Sequence, residues 1–131
     1  MNKVNPTSCV ATSNQNINIP DDQGRNIVLY FYPKDDTPGC TIEGNDFTRL
    51  NDSFAENNSV IYGVSRDSIA SHEKFIKKFD YTIDLISDED GTWDRYKPRF
   101  KINSSISKYK WFESKDLYFF YMYQCRSFQI R

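Results

Sequence analysis

Cys40 carries the strongest chemical signal in the chain. It follows Tyr30-Phe31-Tyr32-Pro33-Lys34-Asp35-Asp36-Thr37-Pro38-Gly39 and precedes Thr41-Ile42-Glu43. A thiol attacks as its thiolate, and the start of a helix favours that form through unpaired amide donors and the positive end of the helix dipole. With cationic neighbours as well, a cysteine pKa of about 8.5 falls to roughly 3.5–7.5. Spacing alone equally suits a small buried core cysteine.

The elements that must place this thiol are legible around it. Asn26 to Tyr32 is a run of β-branched and aromatic residues, the pattern of a strand buried on both faces, and Pro33, Pro38 and Gly39 end it. Apolar residues at Ile42, Phe47, Leu50 and Phe54 follow at roughly helical spacing, which predicts a helix over Thr41–Glu56 with Cys40 at its first turn. Further strands are expected near Ser59–Ser65 and Thr82–Ile86, with a helix over Ser68–Phe79 between them. Strands alternating with helices imply crossover connections, a largely parallel arrangement and an α/β sandwich.

With 131 residues the chain is expected to form one domain, 1–131, with a loosely held polar arm at 1–15. The net charge of −1 is spread along the chain without a basic block, so neither nucleic acid nor an anionic membrane is indicated as a partner. The N-terminal residues lack the apolar stretch of a secretory signal, and no run approaches the length of a membrane span. The three cysteines, Cys9, Cys40 and Cys125, are too few for a disulfide framework and contain no Cys-x-x-Cys pair, which points to reduced thiols and a cytoplasmic setting.

The segment Leu29 to Thr41, with Pro33, Thr37 and Cys40 in their relative positions and Glu43 after them, resembles the peroxidatic motif of the peroxiredoxins. The wording is similar to the Q-type, or bacterioferritin-comigratory-protein, branch. The likeness continues through Val60 to Ser68, Ser71-His72-Glu73-Lys74-Phe75 and Leu85 to Gly91, and covers about Asn14 to Gly91. It implies a thioredoxin-like α/β fold with a central mixed sheet flanked by helices. It also marks 92–131 as a divergent tail, with C-terminal elements incomplete relative to the family. Within that tail a short helix is expected over Thr92–Lys101, an irregular stretch over Asn103–Ser107, and a strand over Leu117–Tyr123.

The resemblance implies a thiol-dependent peroxidase of antioxidant defence that reduces hydrogen peroxide and organic hydroperoxides without metal, haem or flavin. Cys40 would attack the peroxide, with Thr37 and the amides of Gly39 and Cys40 as donors and Pro33 shielding the sulfur. Glu43 matches a position that arranges the pocket's hydrogen bonds; read from the residues, it is equally a first-turn carboxylate favouring the helix dipole. Arg126, in Cys125-Arg126-Ser127-Phe128, is the one local echo of the family's late arginine, although a surface arginine reads as well. Resolving cysteines occur in many relatives five residues after the peroxidatic one, here Asn45, or on the next helix, here near Ile76. Cys9 and Cys125 are the remaining intramolecular partners. A one-cysteine cycle is therefore expected, with thioredoxin, glutaredoxin or glutathione as external reductant, in a monomer or weak dimer.

Other residues receive plainer readings. Lys34, Asp35 and Asp36 suit a solvated loop, and His72 suits a polar helix face. Asp88, Asp90 and Gly91 share part of the spacing of a calcium loop but lack its other ligands, so a turn is expected. Two rival functions are a weakly active or inactive thioredoxin-fold remnant and a redox sensor that forms mixed disulfides.

Overall fold

The buried strand before Cys40 forms as its composition requires, and the sheet is built around it. The structure, a computed structural model, describes residues 7–19, 23–92, 109–114 and 117–122. In chain order the elements are β1 (Thr7–Ala11), β2 (Gln15–Ile19), β3 (Asn26–Phe31), α1 (Pro38–Glu56), β4 (Ser59–Ser65), α2 (Ile69–Phe79), β5 (Asp84–Ser87), β6 (Tyr109–Ser114) and β7 (Leu117–Met122). They make a seven-stranded mixed sheet in the order β2-β1-β5-β4-β3-β7-β6. β4 pairs parallel with β3 and β5, and β7 pairs parallel with β3, while β1–β2 and β6–β7 are antiparallel.

Alternation along β3 divides the core. Ile27, Leu29 and Phe31 enter one cluster with Cys9, Ile17, Ile19 and Ile86, whereas Val28, Tyr30 and Tyr32 enter the other with Cys40, Phe47, Phe75 and Tyr81. α1 and α2 both pack into this second cluster, so the described helices share one face of the sheet. Tyr30 stacks on Phe47 at 4.3 Å between ring centroids, and a Cβ at Gly63 would stand 2.6 Å from the Tyr30 ring, so glycine on β4 leaves room for that ring.

One expectation is corrected here. The arm proposed for 1–15 is an ordered strand from Thr7 to Ala11, turning through Ser13 and Asn14, both at positive φ, into β2. Its polar composition conceals the half-buried alternation of Gln15 to Ile19, in which Ile17 and Ile19 face inward. Thr12 fastens this hairpin to the sheet: its N–H donates to the Leu85 carbonyl at 3.0 Å, and its Oγ1 accepts from Leu85 N at 3.2 Å. Within the tail, the expected strand appears as β7, and β6 is an additional one. The short helix expected from Trp93 onward and the stretch Asn103–Ser107 lie outside the described residues.

Candidate active site

Thr37 is the N-cap of α1 and Pro38 its first residue, which places Cys40 in the first turn. The Thr37 side chain makes no capping bond. Its Oγ1 donates instead to the Lys34 carbonyl at 3.1 Å, and its own carbonyl accepts the Thr41 N–H at 2.9 Å and the Thr41 hydroxyl at 2.8 Å. The first-turn amides, those of Gly39 and Cys40 among them, lie at the positive end of the helix dipole, so this start favours negative charge beside the sulfur. Cys40 itself is 2 % exposed, packed in the aromatic cluster of Tyr30, Tyr32, Phe47 and Tyr81.

Tyr81, just before β5, fixes the same turn from the far side. Its hydroxyl donates to the Thr41 carbonyl at 2.9 Å, and its ring lies over Gly44, where an added Cβ would overlap it. Burial raises the Tyr81 hydroxyl pKa, with the Cys40 charge adding to the effect. The Tyr30 hydroxyl is raised for the same reasons, by burial first and then by the charges of Glu43, Tyr81 and Cys40.

Glu43 is not the first-turn dipole partner that one reading proposed. It lies beyond the first turn, is 1 % exposed, and neither carboxylate oxygen has a hydrogen-bond partner among the described residues. Burial, with the Asp46 charge nearby, pushes its carboxyl from an ordinary 4.5 up to about 8, so it is mainly protonated at neutral pH. Pro33 is exposed in the bend after Tyr32. Arg126 and Cys125 lie outside the described residues.

The loop read as solvated is also corrected. Asp36 is exposed and ion-paired with Lys78 at 2.7 Å, but Asp35 is buried and holds the loop down. Its carboxylate accepts from the Tyr32 hydroxyl at 2.6 Å and the Ser71 hydroxyl at 2.8 Å, and meets His72 Nδ1 at 2.7 Å. Its N–H donates to Asp67 Oδ2 at 2.9 Å. Burial opposes ionisation of Asp35, yet hydrogen bonds from His72, Tyr32 and Ser71 and the His72 charge outweigh it and hold the carboxyl below its usual range. His72 is fully buried rather than on a polar face. Its partners come from distant segments, so no local periodicity marks it.

The other cysteine within the described residues is placed quite differently. Cys9 lies mid-strand in the opposite cluster, its thiol donating to the Ile17 carbonyl at 3.6 Å. Burial, helped by the Asp88 charge, pushes it up to about 12. The folded sheet therefore separates Cys9 from Cys40. The Asp88–Gly91 segment is a turn, closed by the Gly91 N–H to the Asp88 carbonyl at 2.9 Å, with Gly91 at φ 71°.

This arrangement has close counterparts among known proteins. The AhpC/TSA family model matches residues 2–102. Peroxiredoxin Bcp of Bacillus subtilis is 47% identical over 76 residues, covering 58% of this chain and 48% of that protein. Peroxiredoxin Bcp of Xanthomonas campestris is 51% identical over 67 residues, covering 51% and 42%. The chain thus spans about half the length of these curated relatives. A solved Xanthomonas campestris peroxiredoxin Q superposes with a TM-score of 0.65 at 39% identity, covering 68% of this chain and 56% of that one. The mixed sheet flanked by helices in this chain agrees with the thioredoxin-like architecture, and the chain belongs to the AhpC/TSA family, its likeness running to the Bcp and Q peroxiredoxins.

Proposed function

We propose that the chain acts as a single-domain thiol peroxidase for hydrogen peroxide and small organic hydroperoxides, with Cys40 as the attacking group. The observation that supports this reading is the place of the thiol: Cys40 lies in the first turn of α1, behind an N-cap residue whose side chain makes no capping bond. In the reaction the Cys40 thiolate attacks one peroxide oxygen, an S–O bond forms and the O–O bond breaks. Sulfur is oxidised to a sulfenic acid, and the departing hydroxide or alkoxide takes a proton to leave as water or alcohol.

The residues divide the work by their chemistry. Amides of Gly39 and Cys40 face the oxygen on which charge develops, and fixed donors lower such a barrier because they need no reorganisation. Thr37 Oγ1, donating to Lys34, keeps lone pairs with which to accept the peroxide O–H. Pro33 closes the outer side of the sulfur, Glu43 supplies a neutral acid beneath the turn, and Arg126 adds a positive charge from the tail. Regeneration proceeds through an external thiol of thioredoxin, glutaredoxin or glutathione, which attacks the sulfenic acid, releases water and leaves a mixed disulfide for a second thiol to reduce. Separation of Cys9 from Cys40 by the sheet supports an external thiol, and three cysteines, too few for a disulfide framework, support a cytoplasmic site of action. Among the described residues no helix is long and apolar enough to cross a membrane.

Peroxide consumption coupled to dithiothreitol tests the proposal. Cys40→Ser is expected to abolish it and Cys9→Ser to leave it unchanged; consumption that survives Cys40→Ser rejects the reading.

A further inference from the structure

His72 is the single histidine of the chain, and it is fully buried. Its Nε2 lies 3.0 Å from the Ile86 carbonyl on β5, and its Nδ1 lies 2.7 Å from Asp35 Oδ2. A carbonyl oxygen only accepts, and so does an ionised carboxylate. The ring thus bridges the backbone of β5 and the carboxylate of Asp35, and the Tyr32 hydroxyl also lies 3.3 Å from Nδ1. Asp35 has the surroundings of an ionised group, since the Tyr32 and Ser71 hydroxyls also donate to it.

We propose that His72 and Asp35 form a buried imidazole–carboxylate latch that positions the Pro33–Thr37 loop and thereby controls access to Cys40. The latch joins four segments. Tyr32 reaches Asp35 from the end of β3, Ser71 and His72 from α2, Ile86 binds the ring from β5, and Asp67 takes the Asp35 N–H from the β4–α2 connection. Asp67 is itself fixed, its Oδ2 accepting from Ser65 Oγ at 2.6 Å and its carbonyl from Ser87 Oγ at 2.6 Å. Asp35 therefore has little freedom, and two residues later the chain must deliver Thr37 to the start of α1. Asp36 between them is at φ 55°, a left-handed conformation that a free loop would readily leave. Cys40 is 2 % exposed and sits three residues beyond this loop in the first turn of α1, so a loop that lets go of Asp35 is expected to loosen that turn and admit reagents larger than a peroxide. His72 and Asp35 are thus positioning residues: they act on Cys40 through the loop.

The inference rests on Cys40 as the reactive thiol, but its test reads the loop separately from peroxidase turnover. In the intact chain, site-resolved mass spectrometry follows iodoacetamide alkylation of Cys40 and Cys9 in parallel. His72→Gln and Asp35→Asn are each expected to speed alkylation of Cys40 by about tenfold to a hundredfold, as loss of a charged hydrogen bond implies, with Cys9 unchanged. Tyr32→Phe, which removes one bond and leaves the His72–Asp35 contact, is expected to produce a smaller increase. Equal acceleration at Cys9 would show general loosening and overturn the latch, as would no change at Cys40.

Nitrogen-15 NMR of the lone imidazole decides the matter even where a variant fails to fold. The wild-type ring N–H is expected to exchange with solvent at least about a hundredfold more slowly than that of a free imidazole, and exchange as fast as in a free imidazole overturns the proposal. Trapping of the sulfenic acid with dimedone separates this inference from the proposed function. Latch variants are expected to slow peroxide oxidation of Cys40 about tenfold or more as Thr37 loses its alignment. If the wild-type sulfur is inert to peroxide while the alkylation contrast holds, the peroxidase reading fails and the latch stands.

Discussion

The two described helices start in opposite ways. α2 begins with Ser68, whose side chain accepts the Ser71 N–H at 3.2 Å, the ordinary means of satisfying an orphan donor. α1 begins with Thr37, equally suited to cap, but its hydroxyl points to the Lys34 carbonyl. The contrast continues inside each helix. α2 buries His72 with a partner on each ring nitrogen, whereas α1 buries Glu43 with none among the described residues. One helix start has an orphan donor satisfied by its N-cap side chain, and the other turns its N-cap hydroxyl away from the helix, the difference expected if only the second serves the proposed chemistry.

Exchanging the cap residues should break this contrast most strongly. Thr37→Ala is expected to slow Cys40 oxidation by roughly a hundredfold, the effect of losing a group that orients the peroxide toward the sulfur, with unfolding free energy changed by less than about 0.5 kcal/mol. Stopped-flow oxidation and urea titration on one preparation check both halves. A thermodynamic loss as large as that of a true cap would remove the distinction.

The buried carboxyl of α1 offers a second measure. The folded protein holds the Glu43 proton up to about pH 8, whereas the unfolded chain releases it near 4.5. Its contribution to stability is therefore complete below about pH 4.5 and is lost as pH rises to 8 and beyond. Urea titrations at pH 5 and pH 8 should show Glu43→Gln gaining on the wild type by on the order of 3 kcal/mol across that interval. Equal pH dependence of the two proteins would mean that the carboxyl is ionised and paired.

Smaller effects belong to the packing around the α1 start. Gly44→Ala forces a methyl into the Tyr81 ring and is expected to cost about 1–3 kcal/mol, read from the denaturation midpoint, with faster alkylation of Cys40 as Tyr81 is displaced. Ser68→Ala should cost about 1 kcal/mol through the lost cap of α2, with Cys40 oxidation kept within twofold. A large kinetic loss from Ser68→Ala would mean that both helix starts serve the chemistry.

The parts of this contrast that the sequence displays are the local ones. The run from Asn26 to Phe31 defines β3 by its own composition, and the apolar spacing over Thr41–Glu56 marks α1 with Cys40 at its first turn, although Pro38 and Gly39, read as ending the strand, are the first residues of the helix. The burial of Asp35 and His72 depends on atoms 37 residues apart and could not be inferred from polar residues that also suit solvent. Glu43 was obscured by an error of a single turn, which separates a dipole partner from a core residue. The hairpin of β1 and β2 did have a signal, the alternation Gln15-Asn16-Ile17-Asn18-Ile19 after Ser13-Asn14, masked by the polarity of the surrounding segment.

The parallel pairing of β3, β4 and β5 sends the chain out of all three strands at the same rim of the sheet, where Asp35, Asp67 and Asp88 follow their respective ends. The Asp88 N–H returns to the Ser65 carbonyl at 2.8 Å, completing the ties among these exits. An engineer adding a tag, a fluorophore or a second binding module should therefore leave this rim alone. The exposed Asn57-Asn58 turn at the opposite rim is the place to open the chain, because extra residues there do not lengthen any segment that holds Cys40.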